Sequence, residues 1–363
     1  MTSPVRASLV AYDAPPTPLE LARRLGVDPE SIIKLDANEN PYSPPQSAIS
    51  AMAGVAPNRY PDPNATALKE RLSQYLGCPP DSLVLGNGSD ELIDLLCRSV
   101  LRDGDTVVNC PPTFGLYEIA ARASGAAALS VPRTADFSLD LQALFRAVEQ
   151  PDGGVVRLVF LCSPNNPTGG SLLEADLRRL LDAGPLVALD EAYAEYAGRS
   201  FVQLTAEYSN LVVLRTFSKA FGLAGLRIGY GVFPPELARE LSAMKAPYNV
   251  NSVAQAAALG ALHDLAWVER HVALIRAERD QLFTALGGLP GLTPLPSETN
   301  FLLVRVSGVS ARDLFQALLG RGIMVRHMAR PPLQDYLRIT TGTPEQNDRL
   351  LEALEAILEG EAR

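Results

Sequence analysis

Lysine is scarce in this chain. Only Lys34, Lys69, Lys219 and Lys245 occur, against 28 arginines. Where arginine is the default cation, a retained lysine marks a place that arginine cannot fill, because only a primary amine loses its proton readily and forms a Schiff base. Histidine is scarcer still, and His263, His271 and His327 have no metal-ligand spacing, which argues against a metal- or histidine-driven mechanism. Cys78, Cys97, Cys110 and Cys162 lack CxxC spacing, so a reduced, cytoplasmic protein is expected. No run approaches the ~18–20 apolar residues of a membrane span. The opening "MTSPVRASLVAYDAPP" also lacks the apolar centre of a signal peptide. Basic charge is in deficit: the formal net charge is −9, which argues against nucleic acid or an anionic membrane surface as the main partner. A small anionic substrate is still admissible, because clustered arginines can override net charge locally. Internal repeats and low-complexity tails are absent.

What is present is ample material for a large core. The chain has 363 residues, 47% of them hydrophobic, a length that suggests two domains. Short apolar runs ("SLVLGNG", "DTVVNC", "RLVFLC", "LVALD", "NLVVLRT") alternate with helical segments at 90–101, 114–124, 138–149 and 171–183. The runs are continuously apolar, as strands covered on both faces are. The expected fold class is therefore α/β, a large domain over 45–255 with a mostly parallel sheet between helices. From about residue 264 the texture changes to a long amphipathic helix, "DLAWVERHVALIRAERDQLFTAL". A strand ("NFLLVRV"), a helix, two short strand segments ("IMVRHM", "YLRITT") and a final helix opening at Thr343-Pro344-Glu345 follow. Residues 256–363 read as a smaller α+β unit, with the proline-rich segment 1–44 packed on it.

The unusual polar residues fall at the carboxyl ends of the expected strands. Gly86–Ser89 follows one strand and opens a helix at Ser89-Asp90, and Asn165-Asn166-Pro167 follows another. Asp190 and Tyr193 end a third, and Thr216, Ser218 and Lys219 a fourth. Taken singly, each has a plain reading: a turn, a pair of turn formers, a helix-capping acid, a solvated loop cation. Together they occupy the edge at which open α/β sheets bind ligands. The chemistry these side-chain types share is that of pyridoxal phosphate. Lys219 would form the Schiff base, and a negative Asp190 would keep the pyridine nitrogen protonated. Asn166 and Tyr193 can hydrogen-bond the phenolate oxygen. The helix N-terminus at Ser89-Asp90, with Ser218 and Arg227, suits the phosphate. Gly222 and Gly225 argue against a regular helix between Lys219 and Arg227 and let the chain curl.

"SPNNPTG", "DEAY", "RTFSKAFGLAGLRIGY", "SETNFLLVR" and "YLRITTGT", in that order, resemble the fold-type I, pyridoxal-phosphate-dependent aminotransferases. "LDANENPYSPP" and "NRYPDP" are similar to the histidinol-phosphate aminotransferases within that group. The resemblance implies that Lys219 is both Schiff-base lysine and proton carrier, and that Ser89, Asp90, Thr216, Ser218 and Arg227 form a phosphate cup. It implies a homodimer in which Tyr60 reaches the neighbouring cofactor phosphate. It implies that Arg338 clamps a substrate carboxylate, that Arg326 meets a substrate phosphate, and that an amino donor and a 2-oxo acid are the substrates, in histidine biosynthesis. Two positions depart from the pattern. Phe114 stands where tyrosine is common for ring stacking. Leu19 stands where some members have a substrate-contacting tyrosine; the resemblance to other members, with a tyrosine farther upstream, implies Tyr12 in that place. Aromatic amino-acid aminotransferases and threonine-phosphate decarboxylases share the scaffold. A non-catalytic cofactor-binding regulator is a further alternative, but an acidic chain without a basic helix-turn-helix argues against it.

Overall fold

Strands buried on both faces need apolar residues at every position, and that requirement builds the larger sheet here. The computed structural model describes residues 16–149 and 155–361. After a two-residue strand, β1 (Ile33–Lys34), the chain forms β2 (Leu83–Gly86), β3 (Thr106–Asn109), β4 (Ala127–Ser130), β5 (Val156–Cys162), β6 (Leu186–Asp190), β7 (Leu211–Thr216) and β8 (Gly229–Val232). β2 to β8 make a seven-stranded sheet of order β2-β8-β7-β6-β5-β3-β4. Alternate residues enter separate apolar clusters: Val159, Leu189 and Val213 one, Leu158, Ala188 and Leu214 the other.

β8 is the single antiparallel member, lying between β2 and β7. Its sequence, "GYGV", hides it as a strand, and the glycines are steric necessities: a Cβ on Gly229 would lie 2.3 Å from the Ser89 nitrogen. The other strands run parallel, so their carboxyl ends share one edge. The chain passes from β3 outward to β4, then returns to β5 and continues to β6 and β7 on the other side. Such a reversal opens a crevice, here between the ends of β3 and β5.

The second half adds β9 (Leu292–Pro294), β10 (Phe301–Val306), β11 (Ile323–Met324), β12 (Arg326–His327) and β13 (Tyr336–Thr340). Four of these form an antiparallel sheet of order β12-β13-β10-β9. β1 pairs in parallel with β11, which stitches the N-terminal segment into this smaller unit, where Ile33 and Leu35 join its apolar cluster. The final helix, Pro344–Glu361, is started by a reciprocal cap between Thr343 and Gln346. The helix Leu265–Gly288 belongs to both cores: Val268, Val272 and Ile275 pack in the large one, Leu282 and Leu286 in the small one. At ~1.5 Å per residue it is about 36 Å long, enough to span both units. Among the described residues, no helix is long and apolar enough to cross a membrane.

Candidate active site

Three glycines shape the loop after β2. A Cβ on Gly88, at φ +79°, would lie 2.6 Å from Arg227 Nη2, and Gly86 and Gly229 are equally crowded. The guanidinium of Arg227 thus closes over the start of the helix Ser89–Val100, donating to Asp90 Oδ2 at 3.0 Å and to Ser218 Oγ at 3.4 Å. Arg227 itself sits in the left-handed region, at φ +53°, directly after a short 3-10 turn over Ala224–Leu226. Glycine-enforced closeness, a helix N-terminus and a cation make a cradle for a phosphate. Thr216 lies beneath it, its hydroxyl accepting from the Ser218 N–H at 3.0 Å.

Asp190 ends β6 with its carboxylate 4% exposed. Tyr117 donates to Oδ2 at 2.6 Å, and the Ala192 N–H donates to Oδ1 at 3.0 Å. Neither donor is a cation, and burial pushes the carboxyl up to about 6 against the hydrogen bonds that lower it. A buried carboxylate with one neutral donor per oxygen, its nearest acting cation being Lys219 at longer range, suits a protonated ring nitrogen. Tyr117 is fully buried, its ring stacked on Phe160 at 4.8 Å and edge-on to Phe114 at 5.6 Å. Tyr117→Phe is therefore expected to raise the Asp190 pKa further, by about one to two units, the equivalent of one hydrogen bond to a charged acceptor. A carbon-13 NMR titration of the cofactor-free protein measures this. A wild-type titration in the variant would mean that burial alone sets the value.

Lys219 follows β7, with its ammonium 3.1 Å from the Ala37 carbonyl oxygen and 5.9 Å from the centre of the Tyr193 ring. Burial, then the charge of Arg338, lowers its pKa to about 8. A lysine so poised can be neutral near physiological pH, the condition for nucleophilic and base chemistry. Tyr193 is buried, accepts from Asn38 Nδ2 at 3.0 Å and meets the edge of Phe301 at 5.3 Å.

Arg338, on β13, donates from Nη1 to Asn166 Oδ1 and from Nη2 to the Asp36 carbonyl oxygen, both at 2.7 Å. Arg326 is its direct cross-strand neighbour on β12.

A strap over Asp36–Asn38 thus supplies partners to Arg338, Lys219 and Tyr193. It is anchored on its N-terminal side by Leu35, whose N–H donates to Met324 O and whose carbonyl accepts from the Thr340 N–H, and on its C-terminal side by Asn300, which donates to the Asn38 and Glu39 carbonyls, and by Asn40, which donates to Ala220 O.

The sequence reading placed Lys219, Asp190, Tyr193, Asn166, Ser89, Asp90, Ser218, Arg227 and Arg338 around this crevice, and the geometry gathers them there. Phe114, half-buried, borders Tyr117 at the end of β3. Asn165, one of two candidate asparagines, is occupied as a loop lock: it accepts from Thr113 at 2.8 Å and donates to Pro112 O and Thr168. Tyr60 is 82% exposed and stacks on Tyr248. Tyr12 lies outside the described residues. Tyr117 and Asn38 went unrecognised. Tyr117 is one helical turn beyond Phe114 in "PPTFGLY", a spacing that could have flagged it, and Asn38 was read only as part of a family likeness.

These residues fit pyridoxal phosphate: a cradle that a Cβ would fill, a buried carboxylate with no cation in direct contact, and an amine of depressed basicity. Comparison with known proteins agrees. The family model described as aminotransferase class I and II matches residues 30–354. The histidinol-phosphate aminotransferase of Roseiflexus castenholzii is 49% identical over 361 residues, covering 97% of this chain and 96% of that protein. That of Methanosarcina mazei is 42% identical, covering 93% and 91%. The crystal structure of the histidinol-phosphate aminotransferase from Sinorhizobium meliloti, in complex with pyridoxal-5'-phosphate, is 29% identical with a TM-score of 0.88, covering 99% of this chain and 98% of that one. With its sheet, its crevice and nearly its whole length accounted for, the chain belongs to the class I and II aminotransferases.

Proposed function

We propose that this aminotransferase exchanges the amino group of histidinol phosphate with 2-oxoglutarate, in histidine biosynthesis, using pyridoxal 5'-phosphate. The observation that carries the substrate reading is the cross-strand pair Arg326 and Arg338, the latter close enough for its charge to act on Lys219, together with the names of relatives at 42–49% identity. Bound pyridoxal phosphate supplies an aldehyde for amine exchange and an electron sink for the substrate's α-carbon.

The chain's residues do the rest. Lys219, neutral in part at physiological pH, would take the proton from the substrate's α-carbon and serve as its carrier. Asp190 holds negative charge against the ring nitrogen, and Tyr193 and Asn166 address the ring's phenolate oxygen. Phe114 covers one ring face. Ser89, Asp90, Thr216, Ser218 and Arg227 hold the phosphate. Tyr60 of a second copy completes that cup, so the working unit is a homodimer. Arg338 takes the carboxylate of glutamate or 2-oxoglutarate, and Arg326 the phosphate of histidinol phosphate, which lacks a carboxylate. Tyr12 belongs at the substrate end. The same reading divides the chain into a cofactor unit, 45–255, and a smaller unit, 1–44 with 256–363. Four free, buried cysteines suit a reducing, cytoplasmic setting.

Half-reactions of the holoenzyme, followed by absorbance with histidinol phosphate, phenylalanine or phosphothreonine, test the substrate. Histidinol phosphate is expected to convert the cofactor to its amine form fastest. Conversion by phenylalanine without conversion by histidinol phosphate would overturn the specificity and leave the family intact.

A further inference from the structure

Tyr60 is the most exposed large hydrophobic side chain among the described residues, and its ring stacks on that of Tyr248 with centroids 4.6 Å apart and planes 19° apart. Tyr248 is itself 41% exposed and holds φ at +60°. A tyrosine in the left-handed region is strained, and such strain persists only where the surroundings over-determine it.

Here they do so from two sides. Lys245 Nζ donates to the Pro63 carbonyl and to Asn249 Oδ1, both at 3.0 Å, and Gln255 donates to the Asp62 carbonyl at 3.0 Å. These bonds bind the Tyr248 turn to the loop that carries Tyr60. On the other side Asn249 Nδ2 donates to Leu85 O at 3.1 Å and to Glu91 Oε2 at 2.8 Å. That same Glu91 oxygen accepts the Asn87 N–H at 2.5 Å, in the phosphate-cradle loop. The turn is thus held by the phosphate cradle of its own protomer while its aromatic ring faces outward under Tyr60.

We infer that Tyr248 is a positioning residue, the seat that holds the Tyr60 ring extended toward the cofactor phosphate of a second copy of the chain. A phenol on an exposed loop would otherwise sample several rotamers and lose part of its binding strength to ordering. Stacking fixes the ring and leaves its hydroxyl end clear. The inference rests on the homodimer reading above.

The test uses the holoenzyme with Tyr248→Ala, Tyr248→Phe, Tyr60→Ala and the double alanine variant. The cofactor dissociation constant is measured by titration with pyridoxal phosphate, and the oligomeric state by sedimentation. Tyr248→Ala is expected to weaken cofactor binding about three- to tenfold, the equivalent of one aromatic pair. Tyr248→Phe should restore it, and the double variant should be no weaker than Tyr60→Ala. Wild-type affinity in Tyr248→Ala beside a weakened Tyr60→Ala, or additive losses in the double variant, would overturn the inference and leave the dimer reading standing. Unchanged affinity in Tyr60→Ala would overturn both. A mixed dimer of one Lys219→Ala chain and one Tyr248→Ala chain should keep one site of wild-type affinity and turnover. Loss of that site would place the pair's action within its own protomer and sink the inference.

Discussion

Lys219→Ala is expected to abolish turnover, lowering kcat by about 10⁴-fold or more, because in the proposed function one side chain supplies both the nucleophilic amine and the proton carrier. Steady-state transamination with glutamate as donor measures it, and turnover at the wild-type rate would remove Lys219 from the mechanism. A stability signature accompanies the loss. The folded-state pKa of about 8 lies below the usual 10.5, so the ammonium is disfavoured by the fold while it is charged. Between pH about 8 and 10.5 the unfolded chain binds more protons than the folded one, and stability rises with pH across that window. Below about 8 the penalty is fully present. Cofactor-free Lys219→Ala should lose this contribution, which urea unfolding at pH 7.5 and pH 10 detects as a variant-minus-wild-type stability difference that is larger at the lower pH.

Asp190→Asn is expected to lower kcat by about 10²–10³-fold, the usual result of deleting one preorganised electrostatic group. Asparagine keeps the shape: its amide oxygen can face the Ala192 N–H and its NH₂ the Tyr117 oxygen, which then accepts. Only the charge is lost, so the ring nitrogen loses the partner that holds its proton. The sign of the stability effect is opposite to that of activity. A carboxyl raised from 3.8 to about 6 binds more protons folded than unfolded within that interval, so stability falls as pH rises through it and stays lower above. At pH 7 the cofactor-free variant should therefore be more stable than wild type, by about 3 kcal/mol at ~1.36 kcal/mol per unit. Added pyridoxal phosphate should reverse the order, because the wild type binds it more tightly. Calorimetry with and without cofactor reads both outcomes, and equal stabilities without cofactor would show that Asp190 is not penalised by burial.

The sheet was legible because a strand covered on both faces cannot dilute its apolar pattern: β2, β3, β5, β6 and β7 all stood out. β8 did not, since glycines at two of its four positions remove the β-branched signal while permitting the close approach to Ser89. β4 is an edge strand with mostly exposed residues, and it lacks the pattern altogether. Lys219, Asp190 and Arg227 could be found because their types are unusual where they occur. Tyr117 and Asn38 could not be found in that way. Their meaning lies in partners 73 and 155 residues distant, Asp190 and Tyr193, and nothing in the local spacing announces such a bond. Asn165 and Asn166 show the converse difficulty: adjacent and identical in type, one locks a loop and the other turns toward Arg338.

The strap at Asp36–Asn38 has a consequence for tolerance to change. The oxygens of two successive peptide units take Arg338 and Lys219, and the next side chain takes Tyr193. The separation of these groups is therefore gauged by rigid covalent links a few ångströms long, rather than by how two large apolar interiors settle against each other. Substitutions that swell or shrink either interior can shift the units as bodies while this short ruler keeps the reacting groups in proportion. The catalytic dimensions are in effect insulated from drift in the cores, and sequence variation can accumulate there without detuning the chemistry.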